Sequence, residues 1–517
     1  MSRQESKLLR LVLLSPFIFL ALLLLFLIFE HFRGQISLKR YKHAQAAQGR
    51  ILTPGDLASS PPAGENGMPQ ISAAVQALVK GTALPDNYPP RMKITASGRA
   101  IIGSHEAEWM GDRVTNRWDE LDADIRANEA ALDQIRVALE KPYFDNQLAY
   151  SEGPKMPLRH LSKMKAIAQW LGPAGQLALR EGRNAEAADY LVAEGQLPRI
   201  LIQDRIVISE LVRHALASIA RSDTWEALQA DGWSDNDLAR IQKAWEESAF
   251  IGPAARSLEG EGVFASAAFE LFRHSNQEAI DILQYFDDLG GAEPGERPRW
   301  KQTLDNLPGV ETIRDFVKEQ IRCRIWRFAW LDQSERRYLE RIHDLIEITR
   351  RVEQSKSMSD ARPILEVFLN TGIHPGFYDR LRFPTEFMAM DTLARVVNRA
   401  MRMETERSIV LAAIGIKRYT LRHGRAPESL SALVPEFLPA VPVDYMDGKP
   451  VRYRLNPDGS TVLYSVGEDG TDGDGDAGVK ADAGNGRNIW DRNDFVWPAP
   501  ALPEEVEAYR AKALRSD

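Results

Sequence analysis

Residues 425–478 read RAPESLSALVPEFLPAVPVDYMDGKPVRYRLNPDGSTVLYSVGEDGTDGDGDAG, and across them a long helical pattern gives way to a strand pattern. The helix upstream starts at Thr385, after Pro384, and runs through Leu393, Val396, Val397, Ile409, Leu411 and Ile414 to Tyr419. Its stop is explicit. Arg422 and His423 stand in the last turn, where cations suit the helix dipole, Gly424 offers a left-handed cap, and Pro427 blocks continuation. Leu430, Leu433, Val434, Phe437 and Leu438 predict a short second helix folded back on the first. Asp447-Gly448 is a turn signal, and Val451–Leu455 and Thr461–Ser465 alternate in polarity around Asn456-Pro457-Asp458-Gly459, which predicts a β-hairpin.

Beyond the hairpin, Gly467 to Asp494 holds eight acids, seven glycines and three Lys or Arg, a composition that repels itself without a counter-charge. Asp472, Asp474 and Asp476 alternate as in the first half of a calcium loop, and hard oxygen ligands on a tight backbone favour Ca²⁺ over transition metals. The loop is no EF-hand, because Ala477 takes the usual glycine place and Ala483 the place of the bidentate Glu. A solvated acidic loop is the open alternative.

The order of these signals resembles the globular end of type II secretion major pseudopilins: a helix ending in Tyr-x(4)-Gly, Pro and Leu punctuation, a D-x-x-G-x-P turn, two short strands, then a Ser-x-Gly-x-Asp-Gly acidic loop. The resemblance covers about residues 405 to 497. It implies a helix packed on a small antiparallel sheet and a structural calcium ion, with Asp469 and Asp494 as the ligands matched by motif. The Gly-Phe-Thr-Leu-x-Glu processing site of pseudopilins does not precede Leu11, and the chain between Phe29 and Thr385 interrupts their single long helix, so polymerisation into a pilus is not expected. The overall layout is also similar to a family of uncharacterised bacterial single-pass membrane proteins.

Leu11 to Phe29 gives nineteen residues interrupted only by Ser15, Pro16 and Ala21, close to the ~20 that cross a ~30 Å hydrocarbon layer. The run is too long for a signal-peptide core and is followed by Glu30, His31, Phe32 and Arg33, which predicts a retained anchor in the inner (cytoplasmic) membrane. Arg3, Lys7 and Arg10 precede it, whereas Arg33, Lys39, Arg40, Lys42 and Arg50 follow it. Positive-inside counting therefore points against an exported body, while the C-terminal resemblance points to a periplasmic one, and long domains override the charge bias.

A length of 517 residues predicts about three structural units. The net charge of −8 excludes a general nucleic-acid binder, which needs a basic surplus. One cysteine, Cys323, excludes an intramolecular disulfide framework and a Cys-based zinc site; it reads as a packed core residue.

Residues 51–70 contain four Pro and three Gly and read as a tether holding the body off the bilayer. From His105 to Lys141, Val114, Trp118, Leu121, Ile125, Asn128, Leu132, Ile135 and Leu139 form a heptad-like seam, which suits an intramolecular hairpin or, with Asn128 setting register, a coiled-coil dimer. Ser234 and Asp237 mark a helix N-cap. Trp170 to Pro198 resembles one tetratricopeptide-type helix pair without a second copy. Residues 310–351 predict one long helix carrying Trp326, Phe328 and Trp330 among arginines, with acids at ion-pair spacing.

Signatures of catalysis are missing: no H-E-x-x-H, G-x-S-x-G, phosphate loop or dinucleotide fingerprint. His343 with Glu347 on one helical face, and Glu259 with Glu261 in the Gly-rich turn SLEGEG, could be drafted as ligands or as an acid/base couple, but a helix-rich chain with 73 acids and nine histidines produces such pairs by chance.

The expectation is a mainly α protein with no enzymatic activity: a transmembrane anchor over 1–33, a linker and poorly structured segment over 34–100, a helical-hairpin domain over 101–384, and a pseudopilin-like α+β module over 385–517. The lipid bilayer contacts Leu11 to Phe29, envelope proteins are the expected partners, and Ca²⁺ is the expected ion. A helical peptide- or protein-binding receptor and an envelope enzyme with an unrecognised site are the alternatives.

Overall fold

The computed structural model describes residues 3–57, 62, 64–110, 115–289, 320–366, 376–480 and 488–513. Among these residues helices dominate, with three small sheets and one N-terminal apolar helix long enough to cross a membrane.

Helix α1, Arg3–Ala47, does not end where the apolar run ends. It continues, and the face Leu27, Glu30, Gly34 and Leu38 is buried while the apolar side chains from Leu14 to Phe26 stand exposed. These buried positions recur at intervals of three and four, one stripe of an α-helix. The stripe lies on the body helix that spans Leu331–Ser355. A Cβ at Gly34 would sit 3.1 Å from the Gln333 side chain. Glycine there lets the two helices come that close.

The stretch 34–100, expected as linker, is therefore corrected. It carries the end of α1, a second helix α2 (Met68–Ala77) and two strands, β1 (Lys93–Ala96) and β2 (Arg99–Ile101). Proline and glycine here shape the path of the chain without preventing burial: Met68, Ile71, Ala74, Ala83 and Leu84 pack on helix α3 (Trp118–Leu139). The tether drawn at 51–70 likewise contains Leu57 and Met68 in buried positions.

On α3, the seam from Trp118 through Leu139 is buried within the same chain, as the hairpin reading required; Val114 lies outside the described residues. Asn128 is a clamp, not a register device. Its amide donates to Val79 O and its carbonyl accepts from Val79 N at 2.7 Å. One turn earlier, the Asp124 carboxylate accepts the amides of Thr82, Ala83 and Leu84 at 2.7 to 3.0 Å.

Helices α4 (Arg159–Arg180) and α5 (Asn184–Gln196) form the single hairpin expected over 170–198. They pack with α6 (Val207–Gln229), α7 (Asp235–Glu246) and α8 (Ile251–His274). Ser234 caps α7 by accepting the Asp237 amide. Glu259 and Glu261 belong to α8, not to a turn. Gly260 between them is required by close approach, since a Cβ there would meet Arg205 O at 1.6 Å.

Helix α9 spans Asn276–Leu289. Part of the helix expected over 310–351 lies outside the described residues, and the rest is two helices, α10 (Arg322–Ala329) and α11 (Leu331–Ser355), broken at Trp330. The break lets both Trp326 and Trp330 turn inward, where the Trp326 indole donates to Ser334 Oγ. Cys323 is buried, as expected. After the short helix α12 (Phe377–Arg382), helix α13 (Glu386–His423) runs against α6, α7, α8 and α11.

Strand β3 (Trp109–Met110) pairs with β4 (Thr115–Asn116). Strands β5 (Arg452–Leu455), β6 (Thr461–Ser465) and β7 (Phe495–Val496) make an antiparallel sheet beside α13. Strand β8 (Ala499–Pro500) then leaves it to pair in parallel with β2. The Trp225 indole on α6 donates to Pro498 O at 2.8 Å, and helix α14 (Pro503–Ala513) lies over β1. One hydrophobic core consequently extends from Leu27 to Phe495 and crosses residue 385.

Asp124→Ala leaves two buried amides and one partly buried amide without an acceptor, an expected loss of about 2–4 kcal/mol. Asp124→Asn, which keeps an acceptor oxygen, should lose less. Denaturant unfolding of the detergent-solubilised chain reads both, and an unchanged midpoint for Asp124→Ala would show that this clamp contributes nothing.

Candidate functional site

The C-terminal unit follows the local chemistry of its sequence. Helix α13 ends in Gly424 with φ +68°, whose amide bonds Thr420 O at 2.8 Å. Leu430, Leu433, Phe437 and Leu438 fold back and are buried, as a 3₁₀ turn over Leu430–Leu433 and not a longer helix. The hairpin turns at Asn456–Gly459, and Asp444, fully buried in the preceding turn over 444–448, accepts from Ser465 Oγ, Met446 N and Val466 N to join that earlier turn to the end of β6. Burial pushes the Asp444 carboxyl up, against the pull of those donors.

The acidic loop follows β6. Asp494, at its far end, is buried and accepts the amides of Gly473, Gly475 and Asp476, at 3.3, 2.8 and 2.8 Å. It holds the loop by its backbone. Burial raises its carboxyl above the usual range while those three amides pull the other way. Asp472 takes the Tyr464 hydroxyl at 3.0 Å and Arg452 Nε at 3.2 Å. Asp474 pairs with Arg454 at 2.6 Å, Asp476 accepts from Asn493 and from Gly478 N, and Asp469 accepts only from Thr471 N two residues on.

The positive groups beside the acids are thus Arg452 and Arg454 of β5. Asp469, Asp472, Asp474 and Asp476 are exposed and near in sequence, but each turns to its own partner, and Asp494 presents its oxygens to N–H groups. Among the described residues no three His, Cys, Asp or Glu side chains gather as a metal-holding group. Asp494 gives three of the roughly four lone-pair sites of its carboxylate to the amides of Gly473, Gly475 and Asp476.

Elsewhere, His343 and Glu347 stand 3.8 Å apart as a loose pair, and Glu259 pairs with Arg350. Sequence reading missed a group of buried charges. Arg91, from the segment before β1, reaches Asp223 on α6 at 3.1 Å; Gln176 on α4 donates to the same carboxylate at 3.1 Å; Glu194 on α5 completes the group. Burial, then the neighbouring Asp223, pushes Glu194 well above the usual carboxylate range. Glu226, one turn along α6, accepts from Ser104 N and Oγ, and burial lifts its carboxyl to about 7. A Cβ at Gly172 would fall 2.5 Å from both Arg91 Nη2 and Asp223 Oδ2, so helix α4 closes the group on that side. These residues lie on five separate stretches of chain. No spacing within any one of them announces the cluster.

Comparison with protein-family models, with characterised proteins and with solved structures gives no match to this chain. The functional reading therefore rests on the geometry of the anchor, the core and the acidic loop.

The raised Glu226 carboxyl sets a pH dependence. The folded chain keeps this proton to about pH 7, whereas an unfolded Glu releases it near pH 4.3. The folded state binds more protons between these values, so stability falls as pH rises through that window, by at most about 4 kcal/mol. Glu226→Gln should flatten that slope in denaturant titrations at successive pH values, and an identical slope in the variant would contradict the burial effect.

Proposed function

We propose that the chain is a single-pass inner-membrane protein with a periplasmic body, acting as a binding or assembly component of the envelope linked to a type II secretion or pilus-like system. The observation that carries the membrane part is α1. Its apolar side chains from Leu14 to Phe26 are exposed around the helix, as a lipid-facing surface requires, and the same helix then turns polar and docks on the body. The basic residues after the span, which oppose export by simple counting, are partly committed to this docking: Arg33 pairs with Glu30, Lys42 with Glu335 and Arg50 with Glu347.

A pseudopilin-like module at the C-terminus is supported by the order long helix, fold-back turn, antiparallel hairpin and acidic loop, with α13 lying against β6. Its long helix packs on the body, so the module serves assembly as a fixed part of the body. Calcium at the acidic loop belongs to the same proposal. Asp469, Asp472, Asp474 and Asp476 are the exposed carboxylates that would hold it, and the ion would exchange with Arg452 and Arg454. Asp494 would remain the backbone clamp.

Topology is tested with a reporter fused after Asp517. Activity outside the cytoplasm is expected, together with digestion of the body by protease added to spheroplasts; protection until lysis would place the body in the cytoplasm. Secretion-apparatus proteins should co-purify with the solubilised chain after cross-linking in membranes, and their absence would remove the secretion link.

The ion is tested by melting the full chain. Free calcium at about a hundred times Kd should add ~2.7 kcal/mol through binding to the native state alone. Asp469→Ala should remove most of that gain, and Mg²⁺, with its stricter octahedral demand, should substitute poorly. Equal melting in chelator and in millimolar calcium would leave Arg452 and Arg454 as the loop's counter-charge.

A further inference from the structure

Where the body meets the membrane helix there is a concave polar site. Helix α10 and the start of α11 lie against the turns of α1 that follow Phe29. Between them is a cavity of about 340 Å³ whose lining includes His31, Arg273, Arg324, Arg327, Phe328 and Asp332.

The charges around this cavity do not cancel. Arg273 is neutralised by Asp332 at 2.6 Å, by Glu270 at 2.8 Å and by Glu335, which also takes Lys42. Arg324 and Arg327 differ. Among the described residues neither has a carboxylate partner; their hydrogen bonds go to neutral amide oxygens, Gln320 Oε1 at 3.5 Å and Asn276 Oδ1. Two guanidinium groups therefore face one cavity without a counter-charge, and guanidinium is the side chain best matched to phosphate oxygens.

Height along α1 decides what kind of phosphate. His31 is two residues beyond Phe29, about 3 Å at the helical rise of ~1.5 Å per residue. The headgroup layer of a leaflet is roughly 5–7 Å deep. The His31 ring stacks on Phe328 with centroids 4.7 Å apart and planes 4° from parallel, and its Nδ1 lies 2.7 Å from Phe328 O. This contact fixes α10 at headgroup depth. Phe328 and Ile321 are exposed beside the two arginines, as are Phe32 and Ile36 on α1, so apolar surface flanks the cationic site. A soluble anion has no use for that surface, whereas a lipid meets it with its glycerol and acyl ends.

We propose that this cavity binds the phosphodiester headgroup of an anionic phospholipid in the leaflet facing the body, through Arg324 and Arg327. The proposal rests on α1 spanning a membrane. Each cation near an anionic lipid surface favours it by an amount of order a few-fold to tenfold in affinity. Headgroup capture would fix the tilt and rotation of the body on the membrane as well as its attachment.

The test uses the full chain purified in detergent micelles containing equal phosphatidylglycerol and phosphatidylcholine, with retained lipids read by native mass spectrometry. Phosphatidylglycerol should be retained over phosphatidylcholine, and the double variant Arg324→Gln/Arg327→Gln should lower that preference roughly thirtyfold. A control pair on the other side of the charge balance, Arg117→Gln/Arg126→Gln, removes two exposed cations already paired to acids and should leave it unchanged. Equal preference in wild type and the Arg324→Gln/Arg327→Gln variant overturns the site. Displacement of the lipid by millimolar inorganic phosphate also overturns it, assigning the cavity to a soluble anion. Alkaline carbonate extraction of native membranes separates the two levels: a released chain means that the anchor itself fails, whereas a retained chain without lipid preference means that only the headgroup site fails.

Discussion

Glu30 is the constraint on which the arrangement of anchor and body depends. It is 3 % exposed, immediately after the last apolar residue of the span. A buried carboxylate costs several kcal/mol unless its oxygens are matched. Arg33 Nη2 at 2.6 Å and Gln333 Nε2 at 3.0 Å supply the match, and Gln333 Nε2 also donates to the Glu30 carbonyl. Arg382 on α12 in turn donates to Gln333 Oε1. One acid at the end of the apolar run therefore orders an amide on α11 and a guanidinium on α12, and the absent Cβ of Gly34 permits the approach that makes these distances possible.

The same logic of buried polar groups joining distant segments recurs through the body. Asp124 and Asn128 hold residues 79–84, Glu226 holds Ser104, and Asp223 holds Arg91, so the segment before α3 is fastened at three places to helices that follow it. At the other end, β8 pairs with β2 and Trp225 grips Pro498 O. Attachment at both ends explains why the C-terminal unit shares its core with the helices and is not a detachable module. An assembly role would then act through the body as one piece, with the acidic loop as a surface feature of it.

Much of this was legible in local sequence. The stop of α13 at Gly424, the hairpin around Asn456–Gly459, the Ser234 cap and the buried seam of α3 each depend on residues close in the chain, and local physics decides them. What was not legible depends on contacts between distant segments. Residues 34–100 have the composition of a linker, but Met68, Ile71 and Leu84 find α3, which no window within the segment contains. SLEGEG has the composition of a turn, but Gly260 serves a close approach to Arg205. Asp494 matched a ligand position by motif, and its role as acceptor for the amides of Gly473, Gly475 and Asp476 was not legible, because the direction of those donors depends on loop conformation. The stripe Leu27, Glu30, Gly34 and Leu38 did carry a signal of docking; it was hidden because the apolar run around its first member satisfied a membrane reading by itself.

The most direct measurement of anchor docking is a cross-link between α1 and α11 in native membranes. With Cys323→Ala as background, Gly34→Cys and Asp332→Cys place Cβ atoms about 3.4 Å apart, at the short edge of the range that a disulfide spans. Mild oxidation followed by proteolysis should yield a disulfide-linked peptide pair in most of the chains, while each single variant remains fully alkylated. Two free, independently alkylated thiols in the double variant would contradict the docked helix and return residues 34–50 to the linker that composition suggests.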